Sequence, residues 1–123
     1  MVKDSDRSLQ DLKDHVQEHC EERDWCQFHN PKDLAIGLSI ETSEILEIFR
    51  FKSVEEIEEM FIDEIKREEI EDEVADVLFF LMRFAQKFDI DLADAFDRKS
   101  KKSKEKYPVE KCKGLNKKYT EYE

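Results

Sequence analysis

Residues 69–84 read E-I-E-D-E-V-A-D-V-L-F-F-L-M-R-F, and this stretch decides the fold. It begins with carboxylates and ends in hydrocarbon, and Asp76 is the only charged residue between Val74 and Met82. A helix through this window is apolar on every face, so we expect Asp76 to point into packed surroundings. Because burying an unpaired charge is costly, Asp76 and the nearby Glu73 together predict a bound cation.

The composition favours long helices with narrow apolar stripes. Of 123 residues, 43% are charged and 39% are hydrophobic, and only two glycines and two prolines are available for turns. We therefore predict one all-α domain, residues 1–123, with a four-helix-bundle-type core at about 8–107. Residues 109–123 are expected to form a flexible or docking tail.

Charge and cysteine usage restrict the partners and the setting. The formal net charge of −11 argues against a nucleic-acid duplex or an anionic membrane as partner. The three cysteines form no C-x-x-C pair, and no stretch has the length and apolar character of a membrane span or a signal peptide. We therefore expect a reduced, cytoplasmic setting.

Capping residues predict where the helices begin. The first helix is expected at about 8–23, and residues 54–68 are expected to be a separate short helix or a mobile flap. A long helix is expected at about 64–87. The start signals are Asn30 with Pro31, Ser53 with Glu56, and Asp91 with Asp94. Pro108 is expected to stop the last helix.

The apolar spacing of the second helix contains a carboxylate. Glu41 occupies the missing position in a stripe of apolar residues, and Glu44 lies one turn further on the same side. A salt-bridged or solvent-tilted face is the alternative interpretation. The expected stripe of the second helix is Leu34, Leu38, Ile45 and Ile48, and that of the long helix is Ile70, Val74, Val77, Leu81, Phe84 and Phe88.

Three further features each have two interpretations. His15 and His19, one turn apart, are either a zinc pair without a third ligand or ordinary helix surface. The aromatic connector at residues 24–29 either covers a core edge or lines a pocket. Lys99 belongs to a basic run that is either a solvated helix end or a contact for a polyanion.

The carboxylates form two i,i+3 pairs, Glu41 with Glu44 and Glu73 with Asp76, on helices that are expected to pack together. Ligands that offer only oxygen favour Mg²⁺, with Mn²⁺ able to substitute, over zinc. A di-iron centre would need Glu-x-x-His on two helices, which these pairs lack. Several carboxylates in one apolar-walled site, with a lysine nearby, suit phosphoryl chemistry.

The same residues carry a resemblance to a known family. E-x-x-E at 41–44, followed after 28 residues by E-x-x-D at 73–76, resembles the motif of the MazG-like all-α nucleoside-triphosphate pyrophosphohydrolases. Over most of its length the chain is similar to the dCTP-pyrophosphatase branch. The other matching pieces are Glu22-Arg23-Asp24-Trp25, Gln27-Phe28-His29, Lys106-Tyr107-Pro108-Val109 and Lys118-Tyr119-Thr120.

The resemblance implies a homo-oligomer, dimer or tetramer, with sites near the protomer interface. It implies Mg²⁺-dependent hydrolysis of a nucleoside triphosphate to the monophosphate and pyrophosphate, with pyrimidine deoxynucleotides such as dCTP favoured. The implied catalytic and metal-binding residues are Glu41, Glu44, Glu73 and Asp76, and one of the glutamates would orient the attacking water. The implied substrate-binding residues are Trp25, His29, Phe51, Phe80, Lys99, Ser103 and Tyr107.

Three positions depart from the pattern of that branch. Phe80 stands where tyrosine is usual, Phe51 where tryptophan is usual, and Ser103 where asparagine is common. These differences leave the metal ligands unchanged, and they affect the expected preference for base and sugar.

Two other classes of protein fit parts of the sequence. A non-catalytic helical interaction or regulatory module would carry the carboxylates as a solvated seam, and Mg²⁺ would not stabilise it. A carboxylate-bridged iron or manganese protein would carry a transition metal after purification.

Overall fold

The computed structural model describes residues 1–123, and all of its regular elements are helical. The α-helices are α1 (Leu9–Glu22), α2 (Pro31–Phe49), α3 (Val54–Ile62), α4 (Glu64–Lys87), α5 (Leu92–Lys106) and α6 (Val109–Cys112). Short 3₁₀ turns lie at Asp4–Asp6, Cys26–Phe28 and Tyr119–Glu121. The prediction of an all-α chain is confirmed, while the four-helix-bundle arrangement stays a prediction. None of the helices combines the length and apolar character needed to cross a bilayer.

The chain divides into two compact units, Met1–Asp89 and Ile90–Glu123. The first contains α1 to α4, and the second contains α5 and α6. In the second unit the ring of Tyr107 packs edge-to-face on Tyr119 at 5.9 Å and on Tyr122 at 6.0 Å between centroids. The expectation of one domain with a flexible or docking tail stays a prediction.

Local hydrogen bonds explain where α1 to α5 begin, because a side-chain oxygen at each of these starts accepts from a backbone N–H of the first turn. Each such cap is worth about 1 kcal/mol. The caps predicted at Asn30, Ser53 and Asp91 are confirmed, and Ser8 caps α1 in the same way. The bonds to Ser8, Asn30, Ser53 and Asp91 come from the N–H groups of Asp11 (3.1 Å), Asp33 (2.8 Å), Glu56 (3.1 Å) and Asp94 (3.0 Å).

Asp63 is the only residue between α3 and α4. Its backbone N–H donates to the carbonyl of Glu59 at 3.0 Å and so closes α3. Its side chain accepts from the N–H groups of Ile65 at 3.0 Å and Lys66 at 2.9 Å and so opens α4. The expected short helix is therefore separate from the long one, and a single residue joins them.

In the first unit, α4 is the central helix and contacts α1, α2 and α3. α2 packs closely on α4 at Gly37, where a Cβ atom would overlap the ring of Phe80. A residue with a side chain at this position would force the ring or the helices to move, since the ring occupies the space of a side chain. The buried apolar residues of the unit are Val16, Cys20, Leu34, Ile70, Met82 and Ala85.

The expectation that Asp76 points into packed surroundings is wrong, because Asp76 is exposed. The long helix is apolar around its circumference, but the chain does not cover all of it. Val74 and Leu81, both in the expected core stripe, keep 51% and 39% of their surface exposed. Arg83, one residue past the quoted apolar run, is instead 2% exposed. An apolar sequence shows which faces of a helix can be buried. Whether a face is buried depends on which other segments pack against it.

We predict that Gly37→Ala destabilises the protein even though alanine is the better helix former by about 1 kcal/mol. The new methyl group meets the ring of Phe80, so the helices must separate or the ring must move. Urea unfolding of Gly37→Ala, Phe80→Leu and the double variant tests this. In the Phe80→Leu background the alanine should cost less, because the aromatic ring is gone. Equal costs in both backgrounds would contradict the steric explanation.

Candidate active site

Two antiparallel helices bring the predicted carboxylates together. Gly37 of α2 lies against Phe80 of α4, and Glu41, one turn after Gly37, meets Asp76, one turn before Phe80. Ligand atoms of Glu41, Glu73 and Asp76 all lie within 4.8 Å of one another. The i,i+3 spacing on α4 puts Glu73 and Asp76 on adjacent turns, so both reach the single carboxylate from α2.

Each of the two glutamates of this cluster has one buried carboxylate oxygen. Glu41 and Glu73 are half-buried, and Oε2 of each is sequestered from solvent without a hydrogen-bond donor. Buried acceptors are almost always satisfied by a donor, a water or a cation. The two orphaned oxygens therefore fit a bound cation or a proton.

The missing donors raise the affinity of the cluster for protons. Burial raises the pKa of Glu41 to about 7, and contact with the carboxyl of Glu44 and the charges of Glu44, Asp76 and Glu73 act in the same direction. The pKa of Glu73 is raised first by contact with Glu44, then by burial and by neighbouring charges. Two carboxyls can share a hydrogen bond only when one carries a proton, so crowding itself favours protonation.

The donor set fits a hard divalent cation. The three residues offer oxygen only, and neither histidine nor cysteine belongs to the cluster. Mg²⁺ and Mn²⁺ prefer such ligands, whereas zinc and carboxylate-bridged di-iron centres use histidine as well. The structure therefore brings together three of the four predicted metal ligands as a group that can hold a divalent metal.

Glu44, the fourth predicted ligand, has a different environment. It is exposed on α2 and lies outside the tight group of three, although its carboxyl contacts both Glu41 and Glu73. A carboxylate in this position can accept a proton or a hydrogen bond from a water beside the cluster.

The aromatic connector reaches the long helix through α1. The ring of His19 packs edge-to-face on Trp25 and on Phe79, in both cases at 5.4 Å between centroids. Phe79 lies one turn past Asp76 and contacts Phe80 at 6.0 Å. Trp25 keeps 41% of its surface exposed and Phe28 keeps 63%, so the connector presents aromatic surface instead of merely sealing a core edge.

Phe51 presents another ring at the end of α2. It is 89% exposed and has a φ of 63°, in the left-handed region that bulky side chains rarely adopt. The guanidinium of Arg50 lies 4.5 Å from the centre of its ring. The next residue, Lys52, lines a cleft of about 400 Å³ together with Ile48 of α2 and Glu69 of α4. This cleft begins about one turn from Glu73 along α4 and about two turns from Glu41 along α2.

The remaining predicted substrate-binding residues lie in the second unit. Lys99 and Ser103 are exposed on α5, and Tyr107 follows the end of that helix. Their roles stay predictions.

Sequence reasoning missed Arg83. Its guanidinium is buried on α4 and donates to Nδ1 of His29 at 2.9 Å, to Sγ of Cys26 at 3.1 Å and to Oε1 of Gln86. One signal was available in the sequence, namely that Arg83 stands among apolar residues of α4. A cation buried at such a position needs a set of hydrogen-bond partners.

The fold and the cluster together define a class: an all-α protein that presents carboxylates from two helices to a divalent metal. Comparison with known proteins gives the family. The model of the MazG-like family matches residues 36–122. The chain is 33% identical to dCTP pyrophosphatase 1 of Mus musculus over 93% of its own length and 67% of that protein. It is 32% identical to dCTP pyrophosphatase 1 of Homo sapiens over the same shares.

A solved structure agrees. The crystal structure of a pyrophosphatase from Archaeoglobus fulgidus superposes with a TM-score of 0.75 at 35% identity and covers 88% of this chain and 99% of that one. The chain belongs to the MazG-like family. The prediction of a pyrophosphatase-type enzyme is confirmed, and the alternative of a non-catalytic module is not supported.

We predict that the metal-free protein loses stability as the pH rises from about 4.5 to 7. The folded-state pKa of Glu41, about 7, lies above its ordinary value of 4.5, so the folded chain holds a proton that the unfolded chain has released. This contribution is fully present below pH 4.5 and is lost as the pH passes 7. In EDTA at pH 8, Glu41→Gln should therefore melt a few degrees above the wild type.

Thermal unfolding at pH 5 and pH 8 measures this difference. Glu47→Gln is the matched control, since Glu47 lies on the same helix with its side chain 69% exposed beside Arg50. A loss of stability in Glu41→Gln equal at both pH values would contradict the electrostatic explanation.

Proposed function

We propose that the protein hydrolyses a nucleoside triphosphate to the monophosphate and pyrophosphate, with Mg²⁺ as the metal and pyrimidine deoxynucleotides such as dCTP as favoured substrates. The observation that carries the proposal is the convergence of Glu41, Glu73 and Asp76 within 4.8 Å on two antiparallel helices. The names of the mouse and human relatives support the substrate class.

Each carboxylate has a defined task in this reaction. Glu41, Glu73 and Asp76 would hold the metal through oxygen ligands. A divalent cation bound there would neutralise charge on phosphate oxygens and would lower the pKa of the attacking water. Glu44, which contacts two of the ligands but lies outside the tight group, orients the attacking water and accepts its proton.

The aromatic residues provide the nucleoside contacts. Trp25 and His29 come from the connector, Phe51 from the end of α2, and Phe80 from α4 beside Gly37. Exposed or half-buried rings offer stacking surface for a base at little entropic cost, because few torsions must be fixed. By resemblance, Lys99, Ser103 and Tyr107 contribute further substrate contacts.

The first test is a pyrophosphate-release assay with Mg²⁺ over a panel of standard and modified nucleoside triphosphates. Glu41→Gln should lower turnover at least about 100-fold, because even changes behind a metal ligand cost 10- to 100-fold. Glu47→Gln should retain wild-type activity. Mg²⁺ should raise the melting temperature of the wild type and of Glu47→Gln, and less that of Glu41→Gln. Orthophosphate as the product, or full activity of Glu41→Gln, would overturn the proposal.

We also propose that the chain works as a homo-oligomer, dimer or tetramer. Apolar side chains remain exposed along both helices that carry the carboxylates: Ile36 (49%) and Ile40 (53%) on α2, and Val74 (51%) and Leu81 (39%) on α4. Several large apolar side chains left exposed on packed helices favour a protein interface. A second copy would complete the coverage that one chain does not supply to α4.

Light scattering should give a molar mass that is a multiple of 14.8 kDa. Ile40→Lys should shift the protein toward the monomer, since a charge on the apolar row must be desolvated to form the contact. Ser39→Lys, an exposed position next to it on α2, is the matched control and should leave the mass unchanged. A monomeric wild type at micromolar concentration would refute this part of the proposal.

A further inference from the structure

Arg83 is the one charged residue among the fully buried side chains of the core, with 2% of its surface exposed. Its Nε–H donates to Nδ1 of His29 at 2.9 Å, across 54 residues of sequence. The other two nitrogens donate to Sγ of Cys26 and to Oε1 of Gln86. All three partners can be neutral, and none is a carboxylate.

The direction of the Arg83–His29 hydrogen bond determines which nitrogen of the imidazole carries the proton. Arginine stays protonated and has donors only, so Nδ1 of His29 must offer its lone pair. A neutral His29 then carries its proton on Nε2. An imidazolium would place N–H against N–H at 2.9 Å, so protonation requires the pair to break.

The surroundings oppose protonation as well. Burial lowers the pKa of His29, and the charges of Arg83 and Lys87 lower it further. Lys87 faces the same connector and donates to the carbonyl of Cys26 at 3.2 Å. Arg83 and Lys87, both on α4, therefore bind the segment that ends in His29. Both are cations and act only as hydrogen-bond donors to this segment, so neither stabilises a protonated His29.

We propose that Arg83 is a positioning residue that holds His29 as the neutral Nε2–H tautomer, so that His29 meets an uncharged acceptor on the nucleoside as a hydrogen-bond donor. The inference rests on the proposed function, in which His29 contacts the nucleoside. With Nδ1 bonded to a buried guanidinium, Nε2 is the ring nitrogen of this half-buried residue left to donate to a ligand. The C2 carbonyl oxygen, common to all pyrimidines, is such an acceptor.

The spectroscopic test needs no substrate. Protein labelled with ¹⁵N-histidine gives three imidazole patterns, and His29→Gln assigns the one that matters. Long-range ¹H–¹⁵N correlation should show His29 with an unprotonated Nδ1 in the wild type and in Lys87→Met, the matched control that removes the second cation and its bond to Cys26 but keeps the Arg83–His29 bond. Arg83→Met should shift His29 toward a mixture of tautomers. A wild-type spectrum with the proton on Nδ1, or an unchanged spectrum in folded Arg83→Met, would overturn the proposal.

The kinetic test compares two amides. The nitrogen of glutamine lies about where Nε2 does, and that of asparagine about where Nδ1 does. His29→Gln should keep KM within about threefold of the wild type. His29→Asn and Arg83→Met should raise KM about tenfold, or about 1.4 kcal/mol, with kcat little changed. Equal KM values for the two amide variants would overturn the role of Nε2.

These two tests also separate the inference from the proposed function. If Arg83→Met does not fold, the wild-type spectrum and the Gln/Asn pair still decide. If no triphosphate is hydrolysed at all, the proposed function fails and the substrate role of His29 fails with it. The spectrum would then still decide whether Arg83 sets the tautomer.

Discussion

The close approach of α2 and α4 at Gly37 and Phe80 is the constraint on which the rest of the first unit depends. Without a side chain at Gly37, the ring of Phe80 packs directly on the backbone of α2. One turn away along each helix, the same spacing brings Glu41 up to Asp76 and Glu73. A wider separation would leave three carboxylates on two independent surfaces, where they could not share a cation.

Packing and electrostatics act in opposite directions in this part of the molecule. Burial of apolar surface draws the two helices together, and the same contact forces carboxylates close to one another and hides an oxygen of Glu41 and of Glu73. Binding sites commonly hold groups in arrangements that the fold alone would not favour. The destabilising cluster is tolerated because the rest of the helix contact is apolar, and a bound cation would supply the charge that the chain lacks there.

Features that depend on neighbouring residues, such as helix caps, could be predicted from the sequence. Which faces of a helix other segments cover could not. The caps at Asn30, Ser53 and Asp91 depend on a few adjacent residues, so the helix starts were predicted correctly. The position of Glu41 in an apolar stripe also follows from spacing. The exposure of Asp76 and the burial of Arg83 depend on which distant segments pack against α4, and periodicity carries no information about them. The prediction for Asp76 failed because a helix that is apolar on all sides need not be enclosed by its own chain.

Asp63 is a one-residue hinge between α3 and α4. With one residue between the two helices, rotation about the φ and ψ angles of Asp63 is the simplest way for α3 to change its angle to α4. Nine residues at 1.5 Å each make α3 a lever of about 13 Å, so a turn of about 20° would displace its far end by roughly 5 Å. Lys52 and Glu69 line the cleft, and Glu56 and Met60 line it from α3 itself. A change in the angle between α3 and α4 would therefore change the width of the cleft.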